Sequence, residues 1–454
     1  RENNGDMMSR ELLREVARLA WPAILQGLVV TFVFFTDRMM LGWYSDQTLG
    51  SMQISGPVLW SCFSVFGAYA AGVMAVVGRA IGADDKERAH KTVSTVLVFG
   101  LIVGIIVSIM GMLGRPYFAE MLASGPETSQ TIRDLSQTYM GIVFLATPMV
   151  FLGIGGVTSL QADGDTRTPM WVSALQGFVN LGLTWLLVFG HFGAPELGIE
   201  GAAIGSAASF ILGTCTVLFV LWRRTGPVSL LPLVAPSLGA LRPVLKVAGP
   251  AFGERLIFHT AFLVFVSYVG MLGDLAVITN QALVAIESIG FMVTHGVGIA
   301  AGALVAQKLG AKALKDAAAI GWLSALLGVG VLAGVSALFL IVPEALLSLF
   351  LGNDNPEAVE LGVPCLRVAA IALPLMAISD AMAGSLRGAG DTKTPMLVAI
   401  IGPVTMRLAL CWYLALHLQW GLLGIWVGTT VDWGVRAVFL SWVYHRGKWK
   451  TIRV

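Results

Sequence analysis

The chain has 454 residues, of which 56% are hydrophobic and only 12% charged, with a mean hydropathy of +0.79 and a net charge of +2. A soluble chain carries about a quarter charged residues, so most of this one must face lipid or other buried helices. The near-neutral balance, without aromatic–basic interleaving, excludes a nucleic-acid partner. Cys62, Cys215, Cys365 and Cys411 show neither paired nor metal-ligand spacing, which excludes a disulfide framework or a zinc site.

The charged start, Arg1 to Arg18, leads straight into a full-length apolar span and does not read as a cleavable signal peptide. Runs long enough to cross a bilayer follow near 17–41, 54–78, 93–113, 138–160, 169–190 and 200–222. A Pro-rich linker (Pro227, Pro232, Pro236, Pro243) precedes a second set near 245–270, 275–306, 319–342, 363–386, 395–417 and 421–444. The expected organisation is an all-α membrane protein of twelve spans: an N-lobe over 1–226, a linker over 227–242 and a C-lobe over 243–454.

The two sets repeat one another. Gly164-Asp165-Thr166-Arg167-Thr168-Pro169-Met170 returns as Gly390-Asp391-Thr392-Lys393-Thr394-Pro395-Met396, at an offset of 226. Ala20, Pro22 and Ala23 match Ala248, Pro250 and Ala251 at 228, as do Gly82-Ala83 and Gly310-Ala311. Gly198, Gly201 and Gly205 match Gly421, Gly424 and Gly428 at 223. So steady an offset marks duplication of a whole multi-helix unit, as found in transporters whose site lies between repeats. Six spans per unit put both units in one orientation, so their pseudo-two-fold axis runs along the membrane normal. Of 29 Lys and Arg, 22 fall at the termini and in the loops on their side. The positive-inside rule therefore places both termini in the cytoplasm. The opposite 343–362 loop holds four acids and no Lys or Arg. Asp165 and Asp391 read as helix caps, with Pro169 and Pro395 at the first helical position.

Ten charges remain inside spans: Arg38, Arg255, Arg367, Arg407, Arg436, Asp37, Glu254, Glu287, Asp380 and Asp432. Each needs a partner, a wet cavity or a task. Asp432 and Arg436, four apart on one helix, can neutralise each other. Arg38 and Arg367 lie near helix ends and can snorkel, while Arg407 has no explanation in the sequence. Asp37 shares its helical face with Gln26, Val30 and Val33, so it reads either as a proton carrier in an apolar lining or as a carboxylate permanently paired to a neighbouring helix. Ser173, Gln176, Asn180 and Thr184 form a polar stripe on span five, and Asn280, Glu287 and Thr294 another on span eight. His259 and His295 read as satisfied buried histidines.

In these residues the sequence resembles the multidrug and toxic compound extrusion (MATE) family, within a superfamily that includes lipid-linked oligosaccharide flippases. The likeness rests on Pro22 through Asp37 to Gly42, on the Gly-Asp-Thr-x-Thr-Pro elements, and on span eight from Asn280 through Glu287 to Gly310-Ala311. It spans essentially the whole chain. The resemblance implies a V-shaped pair of six-helix lobes that expels organic cations or other amphipathic compounds against an inward flow of protons or sodium. Asp37 matches the first-helix aspartate of the N-lobe cavity, and Asn180 matches the span-five asparagine. Thr184 stands where one group of the family has a second aspartate. Glu254 and Asp380 fall about one turn nearer the cytoplasm than the C-lobe acids of sodium-coupled members. With Glu287 they make a candidate C-lobe cation site, unless Arg255 neutralises one of them as a structural ion pair. The expected function is a cation-coupled (H+ or Na+) antiporter of small amphipathic or cationic compounds. It would work as a monomer without cofactor or resident metal, in the bacterial cytoplasmic membrane. The alternative is a flippase for a lipid-linked intermediate, with Arg255, Arg367 and Arg407 available to a pyrophosphate. A membrane-embedded enzyme would need a nucleophile–base pair or metal cluster, and the sequence offers neither.

Overall fold

A computed structural model describes residues 2–122, 130–351 and 355–453, with the side chains of 2–9 left aside. Asp354, one of the four acids expected in the 343–362 loop, lies outside the described residues. The first half contains α1 (Glu2–Tyr44), α2 (Asp46–Phe66), α3 (Tyr69–Gly82), α4 (Lys86–Leu122), α5 (Gln130–Ala162), α6 (Arg167–Phe189) and α7 (Ile199–Arg223). The second contains α8 (Leu238–Gly270), α9 (Asp274–Gly310), α10 (Leu314–Ile341), α11 (Pro343–Leu351), α12 (Pro356–Gly388), α13 (Lys393–Ala399), α14 (Leu408–Cys411) and α15 (Gly421–Arg446). Among the described residues eleven helical stretches are long and apolar enough to span a bilayer, with α2 and α3 forming one broken span. The 26-residue α15 is about 39 Å long and supplies the twelfth, its polarity concentrated in Asp432 and Arg436. The chain is thus an all-α membrane protein of two six-span lobes, as its periodicity implies.

Equal sequence makes equal turns in the two lobes. Before α6, Gly164 takes φ +88° and Asp165 N–H donates to the Leu160 carbonyl at 2.9 Å. Before α13, Gly390 takes φ +83° and Asp391 N–H donates to Leu386 at 2.8 Å. Both glycines are needed there because a side chain rarely adopts a positive φ. Asp165 accepts from the Thr168 amide (2.9 Å) and hydroxyl (2.7 Å), and Asp391 from those of Thr394 (3.1 and 2.8 Å). The aspartates do cap these helices. Pro169 and Pro395, however, are the third helical residues, not the first. That position is harmless, because the amides of a helix's first turn have no intrahelical acceptor to lose.

One span departs from regularity. The 395–417 run, expected as an ordinary helix, is π-helical over Ile400–Arg407 and again over Trp412–His417. Gly402-Pro403 sits at the first of these, where proline removes a donor from the α ladder.

Within the N-lobe α4 packs on α5, α6 on α7, and α1 on α6; within the C-lobe α12 packs on α9, α10 and α15. The lobes meet through α1 and α3 against α8 and α9. Their hydrogen bonds and ion pairs gather at the end bearing the termini: Gln307 to the Ala162 carbonyl (2.7 Å), Lys308 to Glu15 (3.1 Å), and Arg79 to the carbonyls of Ala389 (2.7 Å) and Ile452 (2.6 Å). At mid-depth Ser61 meets His259 at 3.0 Å. One apolar core joins both lobes at the termini end, through Val16, Val73, Val77, Val297, Leu304 and Leu386. A second core is buried in the C-lobe around Phe265, Leu283, Leu373, Trp426 and Trp433, with Ile24 of α1 packed against it.

Candidate functional site

Asp37 lies on the inner face of α1, where Gly177 of α6 lets Val29 and Val33 approach closely. The carboxyl is buried, only 9% exposed, and forms no ion pair among the described residues. Permanent pairing is therefore not what holds it. Asn180 and Thr184 stand within hydrogen-bonding reach of its carboxyl, yet Asp37 Oδ1, Asn180 Oδ1 and Thr184 Oγ1 are buried without a closed hydrogen bond among the described residues. Asn180 is fixed by donating through Nδ2 to Ser206 Oγ at 3.2 Å, and Ser206 also meets the Tyr139 hydroxyl at 3.2 Å. Tyr139 is within electrostatic reach of Asp37. Buried polar atoms are nearly always satisfied, so three orphans around one carboxyl mark a place built to take a proton or another donor.

Gln26 belongs to a different contact, accepting from Gln161 Nε2 at 3.2 Å. The repeat carries Gln26 onto Glu254 (offset 228) and Gln161 onto Arg387 (offset 226). Glu254 and Arg387 do form a two-point ion pair, one contact being Nε to Oε2 at 3.3 Å. The same α1–α5 and α8–α12 contact is thus an amide pair in one lobe and an ion pair in the other. The partner is not Arg255, whose adjacent position on α8 aims it about 100° away around the helix. Asp380 accepts from Thr294 Oγ1 at 2.5 Å. Glu287 lies apart from both, near Arg407, with Oε1 buried and unpartnered. The three C-lobe acids thus make separate contacts. No group of three or more His, Cys, Asp or Glu able to hold a metal occurs among the described residues.

Other membrane charges also find their places. Arg38 does not snorkel: its guanidinium lies over the Phe34 ring (3.6 Å) and against Gly56. Arg367 is exposed. Arg407 donates through Nε to Asp432 Oδ2 at 2.9 Å, while Arg436 donates to both Asp432 oxygens at 2.8 and 2.6 Å. His259 accepts or donates to Ser61 on one side only, and His295 is exposed and stacks on Phe291, so neither is a fully satisfied buried histidine. Sequence reasoning missed Tyr139, Ser206, Gln161 and Arg387. The last two were recoverable by carrying the repeat offset through every polar residue.

The MatE family model matches residues 22–186 and again residues 250–413. The chain belongs to the MatE family. The two matched stretches begin at Pro22 and Pro250, in step with the internal repeat. Among relatives of this MatE chain, a probable multidrug resistance protein NorM from Thermotoga maritima is 27% identical over 97% of the chain and 94% of its own length. A NorM protein of the same description from Pseudomonas aeruginosa is 28% identical, over 97% and 90%. Two solved structures share the fold at 18% identity. A MATE family multidrug resistance transporter in an outward-facing conformation covers 97% of both chains at a TM-score of 0.89. A mutant of the Vibrio cholerae MATE transporter VcmN covers 97% of this chain and 98% of its own at 0.88.

Proposed function

We propose that this MatE chain is a cation-coupled antiporter that exports small amphipathic or cationic organic compounds by alternating access between its lobes. It is a transporter rather than an enzyme. The observation that carries the reading is the unpaired, buried Asp37 carboxyl, facing Asn180, Thr184 and the Tyr139–Ser206 pair inside the N-lobe. An acid in that setting can hold either a proton or a positively charged cargo, and mutually exclusive occupancy couples one to the other. The coupling ion is then H+, because Glu254 is engaged by Arg387 and Asp380 by Thr294. The multidrug resistance names of the relatives support drug-like cargo. The basic loops support a bacterial cytoplasmic membrane location with both termini cytoplasmic, and the self-contained site in one lobe supports a monomer.

In cells stripped of other efflux pumps, the wild-type chain should lower accumulation of ethidium, a fluorescent organic cation. Asp37→Asn should not, while reaching the membrane in equal amount. Undiminished export by the mutant would remove Asp37 from the mechanism.

A further inference from the structure

Duplication gave the two lobes equivalent interiors, and among the described residues each holds, within its spans, one acid with an unpartnered buried oxygen. In the N-lobe it is Asp37 of α1, beside Asn180 and Thr184 of α6. The corresponding C-lobe position, at the offset of 228, is Phe265, so the C-lobe acid must come from another helix. Two matched glycines locate the place it faces. A Cβ on Gly205 would meet Thr184 Oγ1, and one on its counterpart Gly428 would meet Cys411 Sγ. Cys411 therefore occupies the place of Thr184, and Arg407, four residues earlier, the place of Asn180. The offset grows from 226 at the Pro169/Pro395 match to 227 here. The π-helical stretch Ile400–Arg407 supplies the extra residue, since an i→i+5 turn holds one more than an α turn. Glu287 of α9 is the acid near Arg407, and its Oε1 is buried without a hydrogen bond.

The cation is as incompletely used as the acid. Arg407 donates through Nε to Asp432 Oδ2 at 2.9 Å, but its Nη2 is buried with no partner. Asp432 does not depend on it, because Arg436 already donates to both Asp432 oxygens at 2.8 and 2.6 Å. Asp432 and Arg436 cancel in charge, which leaves Arg407 to be balanced by Glu287. With Glu287 ionised the four groups are neutral together; with it protonated they carry one net positive charge. Arg407 is the charged group that acts on Glu287. Among the described residues, Asp37 of α1, His259 of α8, Asp380 of α12, and Asp432 and Arg436 of α15 exert no such effect. The remaining neighbour α10 carries no ionisable side chain beyond Asp316. Arg407 also ends its π-helical stretch, and returning one such turn to α geometry would rotate it by about 100° around the helix axis.

We infer that Glu287 is a second proton-exchanging carboxyl of this chain, with Arg407 as its movable counter-ion. When Glu287 releases its proton to water, its Oε1 accepts from Arg407 Nη2, a charge-assisted bond. When it takes a proton back, that bond breaks and the guanidinium serves Asp432 alone. Arg407 stays protonated throughout. Proton exchange at Glu287 stands by itself; that it carries a second proton in each export cycle rests on the exporter reading.

The test is infrared titration of the purified full chain in nanodiscs, following the carboxylic-acid C=O band against pH in Asp37→Asn and in Asp37→Asn/Glu287→Gln. The single variant should lose, as pH rises, one carboxyl's worth of band that the double variant lacks. Adding Arg407→Gln to Asp37→Asn should displace the pH of that loss by about one unit or more, the scale of a neighbouring opposite charge. Arg407→Lys should displace it less. Identical pH dependence with and without Glu287→Gln would overturn the proposal, and an unmoved titration in Arg407→Gln would remove Arg407 from it. Wild type supplies a check that needs no Glu287 variant. With the membrane potential clamped at zero, a pH gradient of about one unit should sustain an ethidium gradient of about 100-fold for two protons per cargo, against about tenfold for one. A tenfold limit would refute the second proton in export. No ethidium gradient at all would refute the exporter reading, and the infrared titration would still decide proton exchange at Glu287.

Discussion

Asp432 shows how a charge can be kept inside a membrane protein for structural ends. Its two oxygens take three donors from Arg407 and Arg436, and none of its surface is exposed. Removing one member of such a buried ionic group costs about 3–5 kcal/mol. Asp432→Asn should therefore lower the unfolding midpoint markedly in a detergent melt, whereas Arg367→Gln, at an exposed site, should leave it unchanged. Asp37 is the opposite case: it is buried with no ion pair among the described residues, so Asp37→Asn should leave the melt unchanged or raise it. Glu254 belongs with Asp432. Tied to Arg387, it has no free charge for a bound cation, so sodium should raise the melting temperature of neither wild type nor Glu254→Gln. Sodium protection that appears in wild type and vanishes in Glu254→Gln would restore the C-lobe cation site.

At the scale of elements, much was written in the sequence because it depends on local chemistry. The span positions follow from run length, and the caps at Asp165 and Asp391 from a glycine, an acid and two threonines in fixed order. The π-helical stretches were not legible, because a register shift of one residue depends on what packs opposite. Gly402-Pro403 hints at the place but not at the geometry. The partners of the membrane charges were hidden for a related reason. Arg387 reads as a loop-side cation from its position in the chain, and only packing of α12 on the lobe interior brings it to Glu254. Asp37 stood out because an acid on an otherwise apolar face is conspicuous in one dimension, whereas Tyr139 and Ser206 are ordinary residues until α5 and α7 converge on it. The two caps also make an unequal pair. Arg224 bridges Asp163 (2.9 Å) and Asp165 (3.1 Å), and the C-lobe turn has no such arginine, since Gly447 follows α15 where Arg224 follows α7. Asp391→Ala should cost about 0.5–2 kcal/mol. Asp165→Ala should cost slightly more, by up to about 1 kcal/mol for a partly exposed pair; equal losses in a thermal melt would show that Arg224 adds nothing.

Across the whole molecule, the lobes are held together at one end. Gly82 packs on the Gln307 backbone and Gly310 on that of Arg79, so neither position has room for a side chain. Arg79 then reaches across to the chain's tail, whose Trp449 is buried and stacks on Tyr444. Opening at this end must break those contacts together. In a background without the four native cysteines, a cysteine at Ala306 should react slowly with an impermeant maleimide from the termini side. Arg79→Ala should speed that reaction several-fold. Unchanged labelling would show that the tail contact does not hold the seam.

The proposed mechanism requires that proton flow through Asp37 drive transport. The decisive measurement is ethidium movement in proteoliposomes under a pH gradient alone, then under a sodium gradient alone, for wild type and Asp37→Asn. Wild type should transport with the pH gradient and not with the sodium gradient, and Asp37→Asn should transport with neither. Transport driven by sodium alone, or a pH-driven rate in Asp37→Asn equal to that of wild type, would contradict it.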